Sequence, residues 1–128
     1  MNTINENSVQ LSFNVIGAAI EVHKALGPGL LESVYESCLA KELFYRGIKF
    51  QRQLELPVYY KGEKLDCEYR IDLMIEDSLI LELKSVEKIL PIHEAQLLTY
   101  LRLSQKKVGL IINFNTPVLI NGVKRIVC

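Results

Sequence analysis

Asp72, Glu82 and Lys84 are the residues of this 128-residue chain whose types and spacing point most directly to chemistry. They lie in two alternating stretches, 68–76 and 79–84, separated by a short loop around Asp77. Folded back as a hairpin, the stretches place Asp72 opposite Glu82, with Lys84 roughly 6–7 Å further along the strand. Two carboxylates side by side repel, and the arrangement costs stability unless a cation sits between them. A lysine beside that cation is suited to hold or polarise a water. This is the layout that metal-assisted hydrolysis of a phosphodiester requires. A blander reading explains the same residues: polar faces of antiparallel hairpins commonly meet solvent, and Glu-x-Lys is short enough to arise by chance. The rest of the chain has to decide between them.

The hairpin itself reads clearly. Tyr69, Ile71, Leu73 and Ile75 form one face with Leu79, Leu81 and Leu83, while Glu68, Arg70, Asp72, Met74 and Glu76 share the other with Ile80, Glu82 and Lys84. Two helices precede it. Residues 8–26 carry Leu11, Val15, Ala18, Val22 and Leu26 at helical spacing, with Ser8 as a cap. His23, near that helix's C-terminus, is a surface or half-buried histidine and is given no metal role. Gly27-Pro28-Gly29 breaks the helix, and a second spans 30–46 with an apolar stripe of Leu31, Val34 or Tyr35, Cys38, Leu39 and Leu43, closed by Gly47. With Gly29 as N-cap, Glu32 takes the third helical position and meets free backbone amides. The sharper alternative puts Glu32 and Tyr35 on one helical face, with Glu32 aimed at the hairpin's carboxylates.

Residues 48–60 alternate as a strand, and Pro57 assigns it to a sheet edge. Residues 61–64 are a turn into the central hairpin, and Cys67 reads as structural. Pro91 opens a helix over 92–103 with Ala95, Leu98 and Leu101 as its buried stripe, flanked by Leu97 and Leu103. Gln96 and Tyr100, four apart, share a face of it; local hydrogen bonding and half-burial account for them without chemistry. The apolar run 108–113 predicts a strand covered on both faces, reached by a crossover and so parallel to a neighbour. Asn121-Gly122 between apolar runs predicts a closing hairpin over 118–127. The class is α/β (or α+β), a mixed sheet flanked by helices.

Length and a hydrophobic content of 49% fit one soluble domain. Fifteen basic and fifteen acidic side chains balance, so strong non-specific attraction to nucleic acid is not advertised. Three cysteines, odd in number and widely spaced, point to a reducing cytoplasmic setting. Residues 1–7 read as a disordered N-terminus. The polar start lacks a signal-peptide pattern, and no apolar run approaches a membrane span.

Taken together, Gly29-x-x-Glu32-x-x-Tyr35, Asp72, Glu82-x-Lys84 and Gln96-x-x-x-Tyr100 resemble the PD-(D/E)XK nuclease superfamily, the restriction-endonuclease-like fold. More narrowly, the chain resembles the small GxxExxY proteins, over about 15–127. The heptapeptide is distinctive; the other two motifs are weak alone but fall on the appropriate elements. The resemblance implies a single nuclease-like domain over 1–128 that hydrolyses DNA phosphodiesters in repair, recombination or defence and leaves a 5′-phosphate and a 3′-hydroxyl. It implies metal ligation by Glu32, Asp72, Glu82 and the Leu83 backbone carbonyl, and a catalytic Lys84 acting with Asp72 and Glu82. Tyr35, Gln96 and Tyr100 would support the site or touch substrate. Ile71 stands where the superfamily name has proline, which leaves the carboxylate chemistry intact. An all-oxygen donor set implies Mg²⁺ or Mn²⁺ rather than zinc. RNA stays open beside DNA. So do a homodimer, a partner protein, and a non-catalytic module that keeps the fold for binding; no membrane association is expected.

Overall fold

The computed structural model describes residues 6–128. Its elements run α1 (Glu6–Leu26), α2 (Glu32–Tyr45), β1 (Phe50–Tyr60), β2 (Glu63–Ile75), β3 (Leu79–Lys84), α3 (Pro91–Ser104), β4 (Val108–Asn113), a 3₁₀ turn (Leu119–Gly122) and β5 (Val123–Val127). Glu6 and Asn7 belong to α1, so the expected disordered stretch does not reach them; its first five positions lie outside the described residues.

The strands form one sheet in the order β1-β2-β3-β4-β5. All pairs are antiparallel except β3 with β4, the parallel pair that α3 connects. A parallel neighbour needs a crossover of this kind, because its chain must return to the same end of the sheet. The sheet is therefore mixed, with β1 and its Pro57 at an edge, as expected.

Each face carries its own core. Val15, Ala18 and Val22 of α1 and Tyr35, Leu39 and Leu43 of α2 pack on Leu73, Leu81, Leu83, Leu110 and Ile112. On the opposite face, Leu97, Tyr100 and Leu101 of α3 pack on Met74, Ile80 and Ile111. The α3 stripe is thus Leu97, Tyr100 and Leu101; Ala95 and Leu103, assigned to it from spacing, are exposed. In α2 it is Tyr35 that turns inward, while Val34 and Leu31 are exposed. Cys67, read as structural, is exposed on β2.

Three sequence expectations fail for physical reasons. The hairpin does not have one greasy and one solvated face, since every residue of Leu79–Leu83 is buried with a helix layer on either side. No hairpin closes on Asn121-Gly122. That dipeptide ends the 3₁₀ turn, where Gly122 lies so tightly on the Asn113 carbonyl that a Cβ would collide with it, and β5 pairs with β4 instead. The N-cap of α2 is Leu31 rather than Gly29, so Glu32 opens the helix instead of holding its third position.

One irregularity positions the site. Phe50 packs on the α1/α2 face, but Leu54, four residues on, packs on the α3 face; likewise Ile71 lies on the α3 face and Leu73 on the other. Strict alternation would keep both members of each pair on one side. The switch occurs at Gln53, which has φ of 51°, between the rungs Arg52–Leu73 and Leu54–Ile71. Asp72 lies at the same level.

Candidate active site

The β2–β3 ladder runs from Ile75–Leu79 through Leu73–Leu81, and one more step brings Asp72 opposite Glu82. Regular pairing stops at that step. Side chains take over: the Leu83 amide donates to Asp72 Oδ2 at 2.8 Å, and the Asp72 amide donates to Glu82 Oε1 at 3.4 Å. Each acid therefore fills a backbone vacancy in the opposing strand, and the two meet in the gap between β2 and β3.

Their protonation reflects that position. Burial pushes the Asp72 carboxyl up to about 6, against the Leu83 amide bond, which favours the ionised form; Glu36 and Glu32 raise it further and Lys84 opposes them. Burial, then the neighbouring Asp72 charge, pushes Glu82 up to about 8, with Lys84 again opposing. Glu82 is 5% exposed, a buried acid on a central strand rather than part of a solvated face. The blander sequence reading therefore fails for it.

Asp72 and Leu83 open onto a cleft of about 440 Å³ whose other wall is α2, through Glu32, Ser33, Glu36 and Ser37, with Arg52 and Gln53 of β1 beside them. Glu32 stands at its rim, where one carboxylate oxygen accepts from the Ser85 amide at 3.4 Å. Ser85 Oγ donates to the Leu30 carbonyl at 2.6 Å, so the end of β3 is tied to the start of α2. Tyr35 does not share the Glu32 face. It is fully buried, stacks on Phe114 at 4.3 Å, donates to the Gly27 carbonyl at 2.5 Å and accepts from the Leu30 amide at 3.2 Å. Of the two roles expected of Tyr35, support is the one its fully engaged hydroxyl leaves open. It braces the Gly27–Leu30 turn, where Gly27 and Gly29 both take positive φ, a region glycine enters without steric cost.

From the other layer, Tyr100 of α3 reaches the acidic pair. Burial pushes its hydroxyl up to about 12, Glu82 and Asp72 add to the shift, and a hydrogen bond with Gln96 partly offsets it. Gln96 itself lines a shallow groove with Tyr69, Ile92 and Thr99. Lys84 is partly exposed and takes part in none of the ion pairs among the described residues, so its ammonium is free to act on the two acids. His23, given no metal role, is buried and donates from Nε2 to the Thr116 carbonyl at 2.8 Å.

Sequence reasoning missed Glu36, Arg52, Gln53 and Asn113. Glu36 is 8% exposed, accepts from Arg52 Nε and Nη2 at 3.2 and 3.1 Å and from Gln53 Nε2 at 2.6 Å, and weighs on Asp72 more than Glu32 does. Its place four residues after Glu32 on one helix was the available signal. Gln53 and Asn113 carried none.

The donor chemistry fits a hard divalent cation. Among the described residues, no three His, Cys, Asp or Glu side chains already form a metal-binding group; Glu32 is near enough for its charge to weigh on both acids. Two adjacent carboxylates that resist ionisation, at the edge of an open cleft, suit an ion that keeps several waters and takes one or two carboxylates, as Mg²⁺ does.

No helix among the described residues is long and apolar enough to cross a membrane. No curated protein and no solved structure matches the chain. A family model described as the PD-(D/E)XK nuclease superfamily matches residues 9–126. By that match the chain belongs to the PD-(D/E)XK nuclease superfamily.

Proposed function

We propose that this chain is a Mg²⁺- or Mn²⁺-dependent nuclease of the GxxExxY type that hydrolyses DNA phosphodiester bonds in the cytoplasm, leaving a 5′-phosphate and a 3′-hydroxyl. The observation that carries the reading is the buried Asp72–Glu82 pair, set in the β2–β3 gap with Lys84 acting on both. A divalent ion bound there would neutralise the scissile phosphate and acidify a water. Asp72 and Glu82 would hold it, with the Leu83 carbonyl as a backbone donor and Glu32 acting through water from the rim. The Leu83 amide fixes the Asp72 carboxylate in one orientation. Lys84 orients the attacking water and offsets charge that develops on the phosphate. Tyr100 lies near enough on the α3 side for the charges of both acids to weigh on its hydroxyl.

The test is incubation of the purified protein with single-stranded, duplex and branched DNA, and with RNA, in Mg²⁺ or Mn²⁺. Asp72→Ala and Lys84→Ala are each expected to lower turnover by about 10²-fold or more. Cleavage that survives both substitutions would overturn the assignment.

One observation favours a second reading, a non-catalytic module that binds nucleic acid or a partner protein: Glu32 is engaged by the Ser85 amide at the rim of the cleft. Calorimetric titration with Mn²⁺ separates the two. Saturable binding lost in Asp72→Ala supports the nuclease, and no binding supports the module.

A further inference from the structure

The acid pair accounts for one wall of the cleft, but a nucleic acid entering it meets Glu32, Glu36 and Asp72 together. Polyanions are admitted where cations offset such charge. Arg52 is the one basic residue among those that line the cleft. Its guanidinium is held from one side. Nε and Nη2 donate to Glu36 Oε2 at 3.2 and 3.1 Å, and Nη2 also donates to Ser37 Oγ at 3.2 Å. Nη1 has no hydrogen-bond partner among the described residues, and the side chain is 42% exposed.

This is how a fixed anion donor is built. A guanidinium carries five N–H groups in a rigid plane, and a carboxylate that engages one edge leaves another directed elsewhere with little remaining rotational freedom. Glu36 is itself immobilised by Gln53, whose left-handed backbone sits where β1 changes face. The strained residue, the buried acid and the arginine thus form one support, and the end of it without a hydrogen-bond partner among the described residues is Nη1. Ser33, one helical turn before Ser37, adds a hydroxyl to the same wall.

We propose that Arg52 is a phosphate-binding subsite of the cleft, presenting Nη1 to a backbone phosphate next to the one that is cleaved. The proposal rests on the nuclease reading and names how that site grips its substrate. It makes Arg52 a binding residue rather than a spare partner for Glu36, and it makes Glu36 a positioning residue.

The experiment is fluorescence anisotropy with short labelled single-stranded and duplex oligonucleotides, in chelator and again in Ca²⁺, across a salt series. Wild type, Arg52→Gln and Glu36→Gln are compared. Arg52→Gln is expected to weaken binding about tenfold and to reduce the slope of log K against log salt by about 0.7–0.9, the value of one lost phosphate contact. Glu36→Gln keeps an acceptor but removes the offsetting charge, so binding should tighten. If the pair is structural only, both variants weaken binding alike or neither changes it, and either result overturns the proposal. Should thermal melts show Arg52→Gln unfolded, Arg52→Lys decides: it keeps the charge but not the planar fork, so weakened binding supports the subsite and unchanged binding removes it. Wild type that binds neither oligonucleotide overturns the nuclease reading and the subsite with it, whereas tight wild-type binding indifferent to Arg52 overturns the subsite alone.

Discussion

Asn113 grips the backbone of Val86 from both sides: Nδ2 donates to the Val86 carbonyl at 2.9 Å, and Oδ1 accepts from the Val86 amide at 3.1 Å. The same oxygen accepts from the Asn115 amide at 3.2 Å, and the Phe114 amide donates to the Lys84 carbonyl at 2.9 Å. The chain just beyond Lys84 is therefore fixed by the end of β4, its parallel neighbour. Asn113 is 2% exposed, so its own amide finds its partners in the chain rather than in water.

Asn113→Ala should cost about 1–2 kcal/mol, because the Val86 and Asn115 amides lose their acceptor while the Val86 carbonyl keeps only Asn115 Nδ2. Denaturant unfolding measures it, and amide exchange at Val86 should accelerate in parallel. Stability within about 0.5 kcal/mol of wild type would show that the clamp contributes nothing beyond an ordinary surface contact.

Tyr35→Phe separates support from substrate contact. The ring stack on Phe114 survives the change, while the bonds to Gly27 and Leu30 are lost. The expected cost is about 1–2 kcal/mol. Turnover per folded molecule should fall far less than in Lys84→Ala. A loss as large as that of Lys84→Ala, with stability unchanged, would return Tyr35 to the substrate.

Most of the frame was legible because its signals are local. Helical spacing places α1 and α2, the apolar run Val108–Asn113 announces a doubly covered strand, and counting from the Asp77 turn gives the register that sets Asp72 against Glu82. What failed depends on distant contacts. Asn121-Gly122 is a strong hairpin signal in isolation, but the close approach of Gly122 to Asn113 uses that glycine for packing. The change of face at Gln53 has no sequence signal, since glutamine is not a residue that turns normally select. Glu36 and Arg52 belong to none of the motifs the sequence displays. Only the fold brings them 16 positions across the chain into one hydrogen-bonded unit.

Gly109→Ala tests how tightly α3 is seated over the acids. A Cβ there would lie 2.8 Å from Leu97 Cδ1, and Leu97 is fully buried, so either its side chain or α3 must shift. Overpacking of this kind costs about 1–3 kcal/mol. A displaced α3 also carries Tyr100 away from Glu82, so turnover should fall as well. A variant as stable and active as wild type would mean that α3 slides freely on the sheet.

The acid pair makes a signed prediction about pH. Asp72 and Glu82 titrate in the folded protein at about 6 and about 8, above their ordinary 3.8 and 4.5. Across that window the folded state keeps protons that the unfolded chain has released, so the stability of the metal-free protein falls as pH rises. Well below pH 4 both acids are neutral in either state and the penalty vanishes; well above pH 8 it is complete. Because the two interact, the loss belongs to the pair rather than to either residue. Glu82→Gln should flatten the curve, stabilising the metal-free protein by on the order of a few kcal/mol at high pH and hardly at all at low pH. Added Mg²⁺ or Mn²⁺ should reverse the loss and release about one proton per ion near neutrality, since a protonated Glu82 must ionise to take part. Calorimetry in buffers of different ionisation enthalpy counts that proton. A wild-type stability that stays level over the window, or metal binding with no proton released, would mean that the two carboxylates are not the mutually repelling buried pair on which the site depends.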